Sequence, residues 1–447
     1  MKTLYTTLLT ALSVICFSSS NIAMGQGETP AADQKNAPIA IVGGTVHTVS
    51  GKTIENGIVI FDNGKITQVG KGIKVPKRME KIDATGKHVY PGLFESHSQL
   101  GLSEIGAVGA SLDFAETGSI NPNVKAHVAV NPDSALIPVT RANGILLALT
   151  SPSGGLISGQ AAVLQMDGWT FEDVTLKSSV AMKVNWPSVT ISPRRRARMS
   201  PEEIGKAIKE QRKRIDDLQT LFDDARAYGI ARKENLDQQS LDLRLEAMLP
   251  LLEGEQKMLV AANGLAEIES AVAFAVKQNV KLIILGGYDA PRCADLLKQH
   301  DVPVILSAVY RLPRRRSDPF DQSYNLPQQL KQAGVTFCIS GSDRSETWNV
   351  RLLPDHAATA IAYGLSEPSA LRAITLTPAE VFGVADRVGS IETGKDATLF
   401  VANGNIFEIK TNVTHAFIQG KPIDLRSKHT RLYEKYQEKY RQLEDSK

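Results

Sequence analysis

The sequence predicts an α/β protein that combines a (β/α)8 barrel of the TIM type with a small β-sandwich built from both chain ends. The middle of the chain contains eight apolar runs of strand length, separated by helical patterns, as in a parallel barrel whose strands are buried on both faces. Both flanks instead show short strands separated by glycine turns. A chain of 447 residues suits a large barrel with a smaller neighbour.

The two flanks define the predicted sandwich. In the first, apolar runs at 39–42 and 58–61 are followed by glycine or by Asp-Asn-Gly, a hairpin signal. The same texture returns at 388–401 and 414–418. We therefore expect residues 38–90 and 386–425 to form one composite sandwich around a barrel at 91–385. The barrel strands are expected at 89–95, 145–150, 161–165, 179–184, 258–262, 282–285, 302–307 and 335–340.

Helix-start signals occur between the strands. Ser200-Pro-Glu-Glu203 supplies a cap, a first-turn proline and a capping-box glutamate ahead of a long charged helix. Thr377-Pro-Ala-Glu380 repeats that pattern. The segment 426–447 contains a charged helical stretch and is expected to form a C-terminal helix on the outside of the barrel.

The N-terminus reads as a secretion signal over residues 1–25. Lys2 precedes a short apolar core at 8–17, and Ala23-Met-Gly25 offers the small residues that a signal peptidase reads, so cleavage is expected before Gln26. The core is too short to span a bilayer. Residues 26–37 are polar and rich in proline and alanine, as in a linker. We expect an exported protein, periplasmic or secreted.

Charge and cysteine content narrow the classes of partner. The net charge is +3, from 51 basic and 48 acidic residues, and gives no reason to expect a nucleic acid or a membrane partner. The mature chain would keep two cysteines, Cys293 and Cys338. An oxidising compartment permits a disulfide between them, but we favour two buried thiols acting as small apolar side chains.

The sequence does not determine the oligomeric state, and a homo-oligomer is possible.

The most informative segment is 90–99, which reads YPGLFESHSQ. Residues two apart on a strand point the same way, so Glu95, His97 and Gln99 share one face. The segment resembles the first barrel strand of the amidohydrolase superfamily, Pro-Gly-hydrophobic-hydrophobic-Asp-x-His-x-His, whose two histidines bind a catalytic metal. Gln99 stands where the second histidine belongs, and an amide oxygen is a far poorer ligand than an imidazole nitrogen.

The resemblance extends over roughly residues 40–425. The segment 82–92 (IDATGKHVYPG) resembles the N-terminal signature of the superfamily, and GKDATL with IQGKPI resembles its C-terminal signature. The similarity is closest to the imidazolonepropionase-like and Xaa-Pro-dipeptidase-like branch. It implies a metal-dependent hydrolase whose site lies at the carboxyl ends of the barrel strands.

The resemblance also shows which metal ligands are missing. Ala261 or Ala262 occupies the histidine position of the fifth strand, and Gly286-Gly287 that of the sixth. Asp343 matches the eighth-strand aspartate that normally touches the metal and moves a proton. Lys183 lies on the fourth strand, where the family often has a carboxylated lysine.

The histidine count gives the same result without any alignment. Of eight histidines, only His97, His127 and His356 could reach the mouth, so a paired-metal site built on four histidines cannot be assembled. A single ion (zinc, manganese or iron) held by His97 and Asp343 remains, with Lys183, Glu95 or Gln99 as weaker ligands; the site could also hold none. Each has a plainer role: Glu95 as a structural acceptor, Lys183 as an ion-paired lysine, the other histidines as ordinary polar residues.

Two further features belong to loops expected at the mouth. The loop 151–159, with Ser153, Gly154 and Gly155, could hold a carboxylate on successive backbone N–H groups, or could be a glycine turn that permits close packing. Two arginine triplets follow the fourth and seventh strands and are expected to form one cationic rim for an anionic ligand. They are Arg194, Arg195, Arg196 and Arg314, Arg315, Arg316.

Two functions remain from the sequence. The first is an exported hydrolase that cleaves carbon–nitrogen bonds in a cyclic amide or small peptide-like substrate, with water activated by one metal and Asp343 as base. The second is a catalytically inactive relative, a pseudoenzyme that binds an anionic ligand. The arginines come without an aromatic platform, which argues against nucleic-acid binding.

Overall fold

The computed structural model describes Pro30 and residues 38–191, 193–234, 240–307, 309–342 and 347–446. The predicted signal peptide and most of the predicted linker lie outside these residues. The N-terminal flank forms five strands: β1 (Ile39–Val46), β2 (Ile54–Asp62), β3 (Lys65–Gly70), β4 (Glu80–Asp83) and β5 (His88–Pro91). Asn63 and Gly64 join β2 to β3 with φ of 47° and 79°, the two positive values that a tight hairpin turn requires.

Eight strands then form the barrel, and their order in the sheet follows their order in the chain. They are β6 (Leu93–Ser98), β7 (Ile145–Thr150), β8 (Ile157–Gln165), β9 (Thr175–Asn185), β10 (Lys257–Ala262), β11 (Leu282–Gly286), β12 (Val304–Ser307) and β13 (Phe337–Ser340). The barrel nearly closes between its first and last strands, where Ser96 Oγ donates to the Ile339 carbonyl at 3.3 Å. The predicted barrel is thus confirmed.

One strand departs from the expected parallel arrangement. β8 runs antiparallel to both β7 and β9. Only residues 151–156 separate β7 from β8, whereas a parallel neighbour needs a crossover of about a dozen residues or more. The chain therefore turns straight back, and β8 begins at the end of the barrel where its two neighbours finish.

The predicted first barrel strand, 89–95, is in fact parts of two strands. β5 belongs to the flanking sheet and β6 to the barrel, and Gly92 separates them. A Cβ at Gly92 would lie 2.9 Å from Leu146 Cβ, so a glycine lets the chain pass from one sheet to the other.

The flanking sheet draws on both chain ends, as predicted. β14 (Leu399–Ala402), β15 (Val413–Ile418) and β16 (Lys421–Pro422) extend it in the order β16-β15-β14-β5-β1-β2-β3, with β4 beside β1. Phe61 and Phe417 lie on strands far apart in this order, yet their ring centroids are 5.0 Å apart. The sheet therefore folds over itself around a shared core.

Helices connect and cover the strands. The Ser200 backbone N–H donates to Glu203 Oε2 at 2.7 Å, and the Glu203 N–H donates to Ser200 Oγ at 3.2 Å, which confirms the capping box predicted for the long helix. The second capping prediction was wrong, because Thr377 lies inside a helix that begins at Leu376. The helices are α1 (Leu136–Arg141), α2 (Phe171–Val174), α3 (Pro193–Arg196), α4 (Pro201–Glu234), α5 (Leu243–Leu252), α6 (Leu265–Gln278), α7 (Ala294–Gln299), α8 (Gln322–Ala333), α9 (Leu353–Ala362), α10 (Glu367–Ala373), α11 (Leu376–Val381) and α12 (Lys428–Asp445).

The structure also addresses the expected state of the two cysteines and the presence of a membrane-spanning helix. Cys293 and Cys338 are both free and buried, so they form no disulfide, in agreement with their role as small apolar side chains. Over the described part of the chain, no helix combines the length and the apolar character that a membrane crossing would need.

Candidate active site at the barrel mouth

A cavity of about 670 Å3 opens at the carboxyl ends of the barrel strands, a size suited to a small molecule. The ends of five strands and the loops after them form its wall. The lining residues are His97, Gln99, Phe114, Ser153, Lys183, Asn185, Ala261, Asn263, Leu285, Gly286, Ser307, Arg311, Leu312, Pro313 and Arg314.

His97 and Lys183 meet at this cavity. His97 on β6 is 5% exposed and Lys183 on β9 is 4% exposed. Lys183 Nζ lies 2.8 Å from His97 Nε2. Burial lowers the pKa of Lys183 to about 7, and burial together with the nearby amine holds the pKa of His97 well below its usual value. The imidazole is therefore neutral and suited to accept a hydrogen bond from the lysine.

Glu95 has a different position from the other two residues of its motif. It accepts hydrogen bonds from Ser340 Oγ, from the Gly341 N–H at 2.8 Å and from the His97 N–H at 3.1 Å. Burial raises the pKa of this carboxyl to about 7. Glu95 does not line the cavity. It ties β6 to the end of β13, which is the structural role that the sequence left open.

Gln99 lines the cavity and is 3% exposed. Its Oε1 has no hydrogen-bond partner among the described residues, and the same is true of Asn263 Oδ1, just after β10. The sequence did not single out Asn263, although it ends the fifth-strand motif.

Gly286 explains how Asn263 fits into the cavity. A Cβ at Gly286 would lie 2.7 Å from Asn263 Oδ1, and the φ of +104° also favours glycine there. The Asn263 carboxamide thus fills the space where a side chain at position 286 would lie. Ala261 at the neighbouring strand end is small and adds no polar group.

The described residues do not fit a paired-metal centre. No group of three histidine, cysteine, aspartate or glutamate side chains suited to a metal occurs among them, whereas protein zinc sites use three or four protein ligands. Asp343 lies outside the described residues. His356 Nδ1 accepts from the Tyr310 N–H at 3.0 Å, and neither His356 nor His127 lines the cavity.

The loop 151–159 reaches the cavity through Ser153. Gly154 and Gly155 have φ of +89° and +65°. Their carbonyls accept from Asn185 Nδ2 at 3.2 and 2.9 Å, so the turn packs directly against the end of β9. These contacts favour the packing role of the glycines.

The arginine triplets separate in the structure. Arg314 lines the cavity and lies over the Tyr288 ring, with its Cζ 5.8 Å from the ring centroid. Arg315 also lies over this ring, at 5.6 Å, but it pairs with Asp289 and Asp318 and does not line the cavity. Arg316 is exposed.

The first triplet does not extend this rim. Arg195 and Arg196 are exposed on α3 and do not line the cavity, and the Arg194 side chain is outside the described part of the structure. Arg311, which the sequence analysis missed, lies over the same Tyr288 ring at 5.6 Å and does line the cavity. Arg311 lies in the same short loop as Arg314, and this proximity could have indicated from the sequence that Arg311 also reaches the cavity.

Comparisons with known proteins agree with this geometry. A sequence model of the amidohydrolase family matches residues 241–423. A search of curated proteins found no significant match. The crystal structure of an amidohydrolase from Thermotoga maritima MSB8 is 26% identical, with 87% of this chain and 100% of that chain covered and a TM-score of 0.75.

Two more distant structures share the fold. A Xaa-Pro dipeptidase with bound methionine in the active site is 15% identical over 87% of this chain and 100% of its own, with a TM-score of 0.52. Molinate hydrolase is 14% identical over 88% and 96%, with a TM-score of 0.53. The amidohydrolase family is generally metal-dependent. The matches to it support the interpretation of this chain as a hydrolase. The barrel, the two-ended flanking sheet and these matches support the resemblance of this chain to the amidohydrolase superfamily.

Proposed function

We propose that this protein is an exported hydrolase that cleaves a carbon–nitrogen bond of a cyclic amide or small peptide-like substrate. The observation that carries the proposal is the buried contact between His97 and Lys183 at a cavity of about 670 Å3. Similarity to the Thermotoga amidohydrolase supports the reaction class, and the fold shared with a Xaa-Pro dipeptidase supports a peptide-like substrate. The N-terminal pattern over residues 1–25 supports export.

The proposal includes a single metal ion, since the described donors suffice for no more. His97, Lys183 after carboxylation and Asp343 would hold it, and zinc, manganese and iron all suit such ligands. When bound, the ion would supply a Lewis acid and lower the pKa of a water molecule. Because only one imidazole is available among these ligands, we expect the metal ion to be held weakly.

The chain's own residues have defined tasks in this proposal. His97 is kept neutral by burial, so one of its ring nitrogens is available as an acceptor and the other is an N–H donor. Asp343 would move the proton between water and the leaving nitrogen, as the resemblance implies. Arg314 and Arg311 would orient an anionic group of the substrate at the rim, since guanidinium groups bind carboxylates well.

Hydrolysis of a substrate panel tests the proposal. Purified mature protein would be assayed with cyclic amides, N-acyl amino acids and dipeptides, with metal content measured on the same samples. We expect turnover that falls by about 100-fold or more in His97→Asn and in Asp343→Asn. His127→Asn, which changes a histidine outside the cavity, should retain activity. Activity that survives the loss of both His97 and Asp343 would contradict the proposal.

The alternative is an inactive protein that binds an anionic ligand. It is favoured by Gln99 and Gly286 at positions where the resemblance places imidazoles, together with the arginines at the rim. Tight, salt-sensitive binding of carboxylates without turnover of any panel member would support this second function.

A further inference from the structure

Three buried polar atoms at the cavity lack a hydrogen-bond partner among the described residues: His97 Nδ1, Gln99 Oε1 and Asn263 Oδ1. Buried polar groups in proteins are nearly always paired, because an unpaired one loses its hydration without compensation. Gln99 is 3% exposed and belongs to the cavity wall. This arrangement indicates a binding site in which a ligand supplies the missing hydrogen-bond partners.

The position of Asn263 shows that this polar surface is built into the fold. The Asn263 backbone carbonyl accepts from the Asp289 N–H at 2.9 Å, which holds the strand end in place. Its side chain lies against Gly286, where any Cβ would come within 2.7 to 2.9 Å of the carboxamide atoms. Glycine at this position therefore makes room for the carboxamide.

The chemistry of these groups defines what fits them. A carboxamide presents an acceptor oxygen and two N–H donors side by side, and another amide matches both kinds of group. A metal ion is a poor match, because it prefers imidazole and thiolate or carboxylate ligands.

We propose that Gln99 and Asn263 form a recognition site for the amide group of a small carboxylate-bearing ligand, such as an N-acylated amino acid. The amide N–H and C=O of the ligand pair with the two carboxamides, and its carboxylate lies toward Arg311 and Arg314. The choice of ligand class rests on the proposed function. Gln99 and Asn263 select the ligand in this arrangement and take no part in bond cleavage.

Binding of a matched pair of probes tests this site. N-acetylglycine and acetoxyacetate differ only in an N–H replaced by oxygen, and both carry a carboxylate. Calorimetry with the mature protein should show about tenfold tighter binding of N-acetylglycine, because the ester leaves a buried acceptor unpaired. Gln99→Leu and Asn263→Ala should each remove most of this preference.

A matched control separates recognition from general destabilisation. Gln256 is 1% exposed, donates from Nε2 to the Ser179 carbonyl at 2.8 Å, and has an Oε1 without a partner in the described residues. It precedes β10 at the opposite end of the barrel, so Gln256→Leu should keep the full preference for the amide.

The outcomes decide between the claims. Equal affinities in the wild type, no detectable binding of either probe, or a preference unchanged in both Gln99→Leu and Asn263→Ala would overturn the recognition site. Acetate release, measured on the same samples, reports hydrolysis separately. A protein that prefers the amide but cleaves no member of the substrate panel would contradict the proposed function and leave the recognition site supported.

Discussion

Lys183 Nζ lies 2.8 Å from His97 Nε2, so an amine from the fourth barrel strand meets an imidazole from the first. No ion pair joins Lys183 to a carboxylate within the described ranges. A buried ammonium without such a partner is costly, and burial accordingly lowers the pKa of this lysine to about 7. The pair therefore places two nitrogen groups with lowered pKa values at the barrel mouth, where the resemblance predicted a metal centre.

The role of Glu95 as a clasp between β6 and β13 predicts a loss of stability. Glu95→Ala would leave the Ser340 hydroxyl and the backbone N–H groups of Gly341 and His97 without their acceptor. We expect the free energy of unfolding to fall by about 2 to 4 kcal/mol, measured by denaturant titration. Glu210→Ala, on the exposed face of α4, should change it little. A small effect of Glu95→Ala would contradict the stabilising role of Glu95 between β6 and β13.

The contact between His47 and His88 predicts a stability that depends on pH. His47 Nε2 lies 2.9 Å from His88 Nδ1, and burial, followed by the proximity of His88, lowers the pKa of His47 from 6.5 to about 4. The unfolded chain therefore binds the proton more tightly, so the contribution is present above pH 6.5 and is lost as the pH falls toward 4. His47→Gln should flatten the decline of the unfolding midpoint across this range. An equally steep decline in the variant would assign the effect to other groups.

The arginine loop predicts that two neighbouring residues differ in function. Arg314 lines the cavity, whereas Arg316 is exposed and does not. Arg314→Gln should weaken binding of carboxylate ligands by about tenfold, because a charge-assisted hydrogen bond is lost. It should affect neutral ligands less, and Arg316→Gln serves as the control with little change. Calorimetry at two salt concentrations measures both, and equal effects of the two substitutions would reduce Arg314 to ordinary surface.

The N-terminal pattern predicts a processed, exported protein. Sequencing of the N-terminus of protein from the native envelope should find Gln26 as the first residue, because Ala23 and Gly25 meet the preferences of a signal peptidase. Protein that begins at Met1, or that stays in the cytoplasm, would be incompatible with export.

Much of the fold could be predicted because buried strands leave a local signal. Eight apolar runs marked eight barrel strands, and the Asp62-Asn63-Gly64 turn marked a hairpin. The apolar run around Gly92 was misassigned, since a continuous run does not show that its halves belong to different sheets. The reversed direction of β8 follows from the short connection at 151–156, a constraint that apolar character alone does not reveal.

The site residues that belong to one sequence motif could be predicted. Those that the fold brings together from distant segments could not. His97 and Gln99 are two residues apart in one motif and both line the cavity, as alternation predicts, although Glu95 of the same motif does not. Asn263 and Arg311 come from separate segments, and only the folded structure brings both to the cavity wall, with Asn263 packed against Gly286 and Arg311 over Tyr288. The separation of Arg314 from Arg315 likewise depends on Asp289, which is distant in sequence.

A restored ligand predicts stronger metal retention. Gln99→His would add an imidazole beside His97 on the same strand face, and metal affinity depends on the number and type of ligands. We expect more bound metal in this variant than in the wild type, provided that His97 and Asp343 converge on one point. Gln256→His, at the opposite end of the barrel, is the control. Absence of metal even in Gln99→His would favour the binding protein.

Metal content of the purified, mature wild-type protein tests the central claim most directly. The described residues supply one imidazole to the cavity, and three carboxamides, those of Gln99, Asn185 and Asn263, line its wall. Elemental analysis should therefore find at most one weakly held ion of zinc, manganese or iron per chain. Two tightly held metal ions per chain would contradict this account and would restore the paired-metal chemistry of the superfamily.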